Sequence, residues 1–207
     1  MFTGDKLLCR RGGRVVFAGL SFAAEPGRAL VVRGANGSGK SSLLRIAATL
    51  TAPAAGALAW RGVPLDAERH RARLAYVGHG DAIKPVLTVR ENLRFWAALA
   101  APGDDRERRV GAALAGFGLD RLAGLRAQLL SAGERRRLAL ARLLAADRPL
   151  WLLDEPTVGL DHDNIARFTA ALERHLAGGG LAIVATHIDI GVAAAILDLG
   201  GRGRDAT

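Results

Sequence analysis

Residues 30–42 read LVVRGANGSGKSS, and this stretch decides the fold. Residues 34–41 match the pattern G-x-x-x-x-G-K-[ST] at every position. The apolar run at 30–32 predicts a buried strand before the loop, and the composition of residues 42–50 predicts a helix after it. A glycine loop in this setting turns successive backbone N–H groups toward phosphate oxygens, and the dipole of the following helix favours negative charge. The stretch therefore predicts a phosphate-binding site.

Each residue of this loop has an expected role. Lys40 reaches the β- and γ-phosphates of ATP, Ser41 offers its hydroxyl to Mg²⁺, and Ser42 adds a phosphate contact. The predicted ATP-binding residues are Gly34, Ala35, Asn36, Gly37, Ser38, Gly39, Lys40, Ser41 and Ser42. The alternative is a glycine turn that ends in Gly-Lys-Ser by coincidence, and the predicted strand and helix around the loop argue against it.

A second candidate site follows the apolar run at 150–153, which ends in Asp154 and Glu155. A strand of a parallel sheet delivers its last side chains to the ligand crevice at the carboxyl edge. We expect Asp154 to hold Mg²⁺ through water and Glu155 to polarise the attacking water as a general base. The alternative is a pair of solvated acids at a strand exit, which the phosphate loop in the same chain disfavours.

The rest of the sequence predicts a succession of strands and helices around these two sites. Apolar runs predict strands at 15–17, 29–32, 74–78, 150–153 and 181–185. Helices are predicted over 42–50, 88–101, 106–114, 134–145 and 164–176, with a polar break at 102–105 and a turn-rich segment at 53–74. We predict a doubly wound α/β core with a parallel sheet, a β-rich subdomain and a helical lobe inserted over about 82–130. The whole chain, 1–207, is expected to form one domain.

The composition bounds the classes of function. The formal net charge is +9, but the arginines are scattered and only 5% of residues are aromatic. A solvated basic surface is therefore favoured over a nucleic-acid site, and no specific nucleic acid is expected as a partner. The single cysteine, Cys9, predicts a reducing compartment. No apolar run approaches the ~20 residues that cross a bilayer, so a partner is expected to hold the chain at any membrane.

Four motifs in this order resemble those of the ABC ATPase family, and the resemblance covers about residues 5–200. Besides the phosphate loop, residues 130–134 (LSAGE) resemble the signature L-S-G-G-Q, residues 155–161 resemble the segment that ends in the D-loop, and Thr186-His187 resembles the switch histidine. The resemblance implies a head-to-tail dimer that sandwiches two ATP molecules. Ser131, Ala132, Gly133 and Glu134 would then face the γ-phosphate held by the partner protomer. His187 would bind the γ-phosphate and orient Glu155 and the water, and Asp161 would join the protomers.

Two positions depart from the family pattern. Arg11 stands where a tyrosine usually stacks on adenine, and a guanidinium plane can also stack on a base. The alternative for Arg11 is a solvated arginine, and the sequence favours neither over the other. His79 stands at the Q-loop position, where a glutamine usually senses Mg²⁺ and the attacking water. A histidine can donate or accept a hydrogen bond there.

Local strings narrow the resemblance to the haem exporter ATPases of cytochrome c biogenesis. They are LLCR at 7–10, YVGH at 76–79, Ile83-Lys84 and LTVRENLRF at 87–95. The resemblance implies a peripheral position on the cytoplasmic face of the bacterial inner membrane, with the membrane proteins CcmB, CcmC and CcmD and, indirectly, the carrier CcmE. The resemblance places the contact with transmembrane partners near Ile83–Ala101. Phe95 and Trp96 either contribute to that contact or belong to the core of the lobe.

Three other functions are compatible with parts of the sequence. An ABC exporter ATPase for a drug, lipid or polysaccharide usually carries the aromatic and the Q-loop glutamine that this chain lacks. A soluble ABC ATPase that acts on DNA or the ribosome usually has two cassettes or a long coiled-coil insertion. A different P-loop enzyme, such as a small-molecule kinase, is not expected to contain the signature-like residues 130–134 or the histidine at 187.

Overall fold

The computed structural model describes residues 1–100 and 105–200. Its strands are β1 (Phe2–Arg11), β2 (Arg14–Ala24), β3 (Ala29–Arg33), β4 (Ala55–Trp60), β5 (Val63–Pro64), β6 (Leu74–Val77), β7 (Leu150–Asp154), β8 (Leu181–Ala185) and β9 (Ala194–Asp198). Its helices are α1 (Lys40–Ala47), α2 (Ala67–Arg71), α3 (Val89–Ala100), α4 (Arg106–Gly116), α5 (Ala132–Ala146) and α6 (His162–Ala177). Two short 3-10 helices lie at Asp120–Leu122 and Ala127–Leu129. The predicted break at 102–105 and the predicted end of a helix at 101 fall largely on 101–104, outside the described residues.

The chain divides into two compact units. Among the described residues, the sheet unit comprises 1–78, 149–155 and 175–200, and the helical unit comprises 79–100, 105–148 and 156–174. The chain therefore passes between the units four times, and one of these passages separates Glu155 from Pro156.

The sheet unit contains two sheets around one apolar core. The parallel sheet has the order β6-β7-β8-β3-β9, and the antiparallel sheet has the order β2-β1-β4-β5. Every residue of β7 and β8 is buried, as expected for strands covered on both faces. The core cluster joins side chains of both sheets and of α1, among them Phe2, Leu44 and Leu152. The phosphate-loop strand β3 is held on both sides, by β8 and by β9, so that its carboxyl end is fixed.

In the helical unit, α3, α4 and α5 pack against one another pairwise. Leu93, Leu114 and Leu143 are buried, one on each of these helices. The buried amide of Asn92 anchors the start of α3, because its Oδ1 accepts from the Lys84 N–H and its Nδ2 donates to the Lys84 carbonyl. Among the described residues, no helix is long and apolar enough to span a membrane.

The predicted α/β fold with a parallel sheet is confirmed. The segment at 53–74, predicted to be turn-rich, also contains β4, β5 and α2, which the sequence did not predict. Two further strands, β1 and β9, were not predicted at all. Apart from Trp60, β4 (AGALAW) consists of residues that are not strong strand formers, and it forms because it pairs with β1, which local sequence does not reveal.

Candidate functional site

The phosphate loop leaves β3 after Arg33 and enters α1 at Lys40. Gly39 is the N-cap of α1 and has φ 104°, a conformation that L side chains rarely adopt. A Cβ atom at this position would also lie 2.6 Å from Cγ1 of Val16. Because Gly39 has no side chain, none caps the helix, and the first N–H groups of α1 are left for a ligand.

A cavity of about 550 Å³ opens at this loop, entirely within the sheet unit. It brings together the phosphate loop and the two acids that follow β7. Its lining residues are Arg11, Val16, Asn36, Gly37, Gly39, Lys40, Ser41, Ser42, Arg45, Asp154 and Glu155. The two candidate sites predicted separately from the sequence therefore share one cavity.

Lys40 is the buried cation of this cavity, with 8% of its surface exposed. Its Nζ donates to the Gly34 carbonyl at 2.7 Å and to the Ala35 carbonyl at 3.2 Å. The ammonium therefore lies across the mouth of the glycine loop, among the backbone groups that favour phosphate. An anion at this position gains a charge-assisted hydrogen bond, which is about twice as strong as a neutral one.

Asp154 and Glu155 lie at the carboxyl end of β7, as predicted. Asp154 is 6% exposed, and Glu155 follows it in a left-handed conformation with φ 45°. A residue other than glycine in this conformation costs about 1–3 kcal/mol and persists only where the surroundings enforce it. Here the Glu155 N–H donates to the Ala185 carbonyl at 2.8 Å, which fixes the backbone. The turn directs the chain away from the sheet directly after Asp154.

His187 lies beside Glu155, because the two residues follow the neighbouring parallel strands β8 and β7. It follows β8, and its Nδ1 lies 3.3 and 3.2 Å from the two carboxylate oxygens of Glu155. The imidazole is 68% exposed, whereas Glu155 is 23% exposed. The Glu155 carboxylate thus lies beside an exposed histidine that is close enough to hydrogen-bond to it.

The signature segment forms the start of α5 in the helical unit. Ser131 is the N-cap, and its side chain and that of Glu134 form a reciprocal capping box. The Ser131 N–H donates to Oε2 of Glu134 at 2.7 Å, and the Glu134 N–H donates to Oγ of Ser131 at 3.2 Å. The hydrogen bond from the Ser131 backbone lowers the pKa of the Glu134 carboxyl, followed by that from its side chain. The first turn, which includes Ala132 and Gly133, is therefore held in helical geometry.

Replacing Glu134 separates its capping role from its charge. We expect Glu134→Ala to lower the free energy of unfolding by about 1 kcal/mol, because one half of the box is lost, and Glu134→Gln to retain most of it. The folded-state pKa lies below the ordinary 4.5, so the extra stability from the carboxylate is present above that value and is lost as the pH falls through the folded pKa. Urea unfolding at pH 7 and pH 3 measures both effects. A Glu134→Gln protein as unstable at pH 7 as Glu134→Ala would contradict the capping role.

Two other predicted residues lie in the helical unit. Asp161 caps α6, because its Oδ1 accepts from the Asn164 N–H at 2.9 Å. It therefore has a local structural role whatever it does in an assembly. His79 is exposed and is the first residue of the helical unit after β6.

Two cavity residues, Val16 and Arg45, were missed by the sequence prediction. Val16 lies on β2, and nothing in the local pattern distinguishes it from the other apolar residues of that strand. Arg45 follows Ser41 by four residues on α1, so helical spacing places both on one face. The four-residue spacing from Ser41 could therefore have identified Arg45 as a candidate from the sequence.

Arg11 ends β1 and lines the cavity, with its side chain exposed. Stacking of Arg11 on the base of a bound nucleotide stays a prediction. We expect Arg11→Ala to weaken ATP binding about twofold to fivefold, the size of an exposed cation–π contact of about 0.5–1 kcal/mol. Arg14 pairs with Arg11 across the hairpin but does not line the cavity, so Arg14→Ala is the matched control. Titration with a fluorescent ATP analogue measures both affinities, and equal affinities would exclude stacking by Arg11.

Comparisons with known proteins agree with this geometry. The family model described as ABC transporter matches residues 17–158. The cytochrome c biogenesis ATP-binding export protein CcmA of Paramagnetospirillum magneticum is 57% identical over 192 residues, which cover 91% of this chain and 88% of that protein. The protein of the same name from Nitrobacter winogradskyi is 50% identical over 203 residues, with 96% and 98% covered. A dimeric ATP-binding cassette solved in a post-hydrolysis state with ADP and Pi is 25% identical, with a TM-score of 0.82 and coverages of 99% and 97%.

Proposed function

Since this chain belongs to the ABC transporter family, we propose that it hydrolyses ATP as the nucleotide-binding subunit of an exporter in cytochrome c biogenesis, with haem as the cargo. The observation that carries the ATPase function is the shared cavity of Lys40, Asp154 and Glu155. The two CcmA relatives, at 57% and 50% identity over nearly the whole chain, support the place in cytochrome c biogenesis. The chain acts as one ATPase domain over 1–207.

The roles of the cavity residues follow from their positions. The N–H groups of the phosphate loop and Nζ of Lys40 bind the β- and γ-phosphates. Glu155 accepts a proton from the attacking water, while His187, 3.2 Å from its carboxylate, orients Glu155 and contacts the γ-phosphate. Arg11 stacks on the adenine. His79 takes the position of the Q-loop glutamine.

Mg²⁺ is the proposed metal, held by the Ser41 hydroxyl and the Asp154 carboxylate. Both residues line the cavity, and both offer the oxygen ligands that Mg²⁺ prefers. When bound with ATP, the ion neutralises phosphate charge. We expect chelation by EDTA to abolish hydrolysis and excess Mg²⁺ to restore it, as measured by phosphate release. Full activity in EDTA would contradict the metal site.

The active form is a head-to-tail dimer of two copies. The dimeric state of the related ATP-binding cassette supports this assembly. In the dimer, Ser131 and the first turn of α5 present a capped helix N-terminus to the γ-phosphate held by the other protomer, and Ala132, Gly133 and Glu134 form that turn. Asp161 lies at the junction of the two protomers.

The membrane partners are CcmB, CcmC and CcmD, with CcmE as the carrier, and the subunit lies on the cytoplasmic face of the inner membrane. The helical unit has apolar side chains available for this contact between residues 83 and 101. Val86 is 71% exposed, Leu99 is 58% exposed and Phe95 is 37% exposed. Trp96 packs edge-on against Phe95 at 5.5 Å and is half-buried, so Phe95 is the better candidate for the contact.

The test is affinity purification of a tagged Glu155→Gln subunit from native membranes with ATP present, followed by mass spectrometry. The substitution is expected to slow hydrolysis and so hold the closed dimer. Recovery of CcmB, CcmC and CcmD supports the haem exporter. Recovery of a different permease overturns the cargo and leaves the ATPase in place. Recovery of DNA or ribosomes without any membrane protein overturns the transporter itself.

A further inference from the structure

Helix α5 carries two buried arginines that the proposed chemistry does not use. Arg136 is 7% exposed and Arg142 is 5% exposed. A buried guanidinium is costly unless its donors are satisfied, so its partners indicate why it is retained. Both arginines bind the same residue, Asp81.

Arg136 contacts two segments that are far apart in the sequence. Its Nη1 lies 3.4 Å from Oδ1 of Asp81, and its Nε donates to the Pro156 carbonyl at 3.3 Å. Arg142 adds a second tie, because its Nη1 donates to the Asp81 carbonyl at 2.6 Å while its guanidinium lies 4.9 Å from the centroid of the Trp96 ring. All of these residues belong to the helical unit.

The two contacted segments are those by which the chain enters the helical unit. The unit begins at His79, two residues before Asp81, and the chain enters it again at Pro156, directly after Glu155. Arg136 lies on α5, the helix that begins with the signature Ser131–Glu134. It thus connects two segments to this helix. One carries His79, and the other follows Glu155.

We propose that Arg136, supported by Arg142 and Asp81, is a positioning residue for hydrolysis that fixes His79 and the chain after Glu155 relative to the signature helix. His79 and the chain after Glu155 serve the γ-phosphate of their own protomer, and the signature serves that of the other protomer. One clamp then sets all three segments instead of each being set independently. This inference rests on the proposed ATPase function and adds a coupling between its parts. It assigns no contact between Arg136 and ATP.

The clamp predicts an effect on the catalytic rate and not on ATP affinity, because none of its residues lines the cavity. We expect Asp81→Asn to lower kcat about fivefold and Arg136→Gln about tenfold, each with KM for ATP within about twofold of wild type. Since the two side chains act as a unit, the double variant should be no slower than Arg136→Gln alone. Arg136→Lys should recover part of kcat, because it keeps the charge but not the fork that reaches both segments.

The matched control is an ion pair in the same unit that lies at neither entry point. Nε of Arg94 and Oε1 of Glu107 are 2.7 Å apart, with both side chains about half exposed. Glu107→Gln and Arg94→Gln should leave kcat unchanged. Equal losses in these variants, additive losses in the double variant, or an unchanged kcat in both Asp81→Asn and Arg136→Gln would overturn the clamp.

Backbone ¹⁵N order parameters of the full chain supply a readout that does not depend on activity. Arg136→Gln should lower the order parameters of the amides at 79–82 and at 157–160 together, from about 0.85 to below about 0.6, whereas Arg94→Gln should not. If the order parameters fall in only one segment, or in neither, the clamp is wrong. If the wild-type chain shows no ATPase activity while the order parameters fall in both segments as expected, the proposed function fails and the clamp stands.

Discussion

A Glu155→Gln subunit is expected to bind ATP with nearly unchanged affinity and to hydrolyse it about 100-fold to 10,000-fold more slowly, the range that a positioned general base contributes. The amide keeps the size of the side chain and can still accept from His187, but it cannot take a proton from water. The backbone strain at this residue, with φ 45°, is the same in both proteins, so folding should be little affected. Because hydrolysis stops while binding continues, the variant should accumulate with ATP bound.

Single-turnover phosphate release measures the chemical step for Glu155→Gln directly. The control is Glu173→Gln, an exposed carboxylate on α6 that does not line the cavity. It should hydrolyse ATP at the wild-type rate. Loss of hydrolysis by less than tenfold in Glu155→Gln would mean that another group accepts the proton.

Lys40→Ala is expected to fail at the earlier step, with ATP affinity reduced by about 10-fold to 100-fold. Hydrogen bonds to a charged group contribute about 1.5–3 kcal/mol, and Lys40 is the buried cation of the phosphate loop. Its loss also leaves the carbonyls of Gly34 and Ala35 without the ammonium that bridges them, so the loop itself should loosen. Hydrolysis at saturating ATP should fall as well, because the charge also stabilises the transferring phosphoryl group.

Equilibrium titration of the Lys40→Ala chain with a fluorescent ATP analogue gives its affinity. Lys6→Ala serves as the control, since Lys6 is an exposed lysine on β1 outside the cavity lining. A Lys40→Ala protein that binds as tightly as wild type would place the phosphates elsewhere. Comparing this variant with Glu155→Gln separates binding from chemistry, because the first should lose both and the second only chemistry.

The parts of the site that were predictable from sequence are those that local chemistry determines. The loop at 34–41 is one continuous segment. The phosphate contacts predicted for it depend only on the backbone N–H groups and side chains of that segment. The pattern Ser131-x-x-Glu134 is also a local rule, and it appears in the structure as the capping box. Asp154 and Glu155 could be placed because a strand of a parallel sheet ends at the ligand edge whatever its neighbours are.

The parts that escaped prediction depend on contacts between distant segments. The left-handed backbone of Glu155 is held by the Ala185 carbonyl, 30 residues further along the chain. Arg136 lies in a run of three arginines, and nothing in that run shows that this one is buried against Asp81, 55 positions earlier. β9 is missed for a similar reason, since its residues alternate poorly and its identity as a strand comes from pairing with β3.

The absence of a side-chain cap on α1 has a further consequence. A helix that begins with unpaired N–H groups is incomplete by itself, and a phosphate that accepts from them becomes part of the folded architecture. Bound ATP is then expected to stabilise the folded subunit as well as to be hydrolysed by it. At a hundred times its dissociation constant, a ligand of this kind adds about 2.7 kcal/mol to the free energy of unfolding. Removal of ATP is therefore expected to lower the free energy of unfolding of the subunit by the same amount.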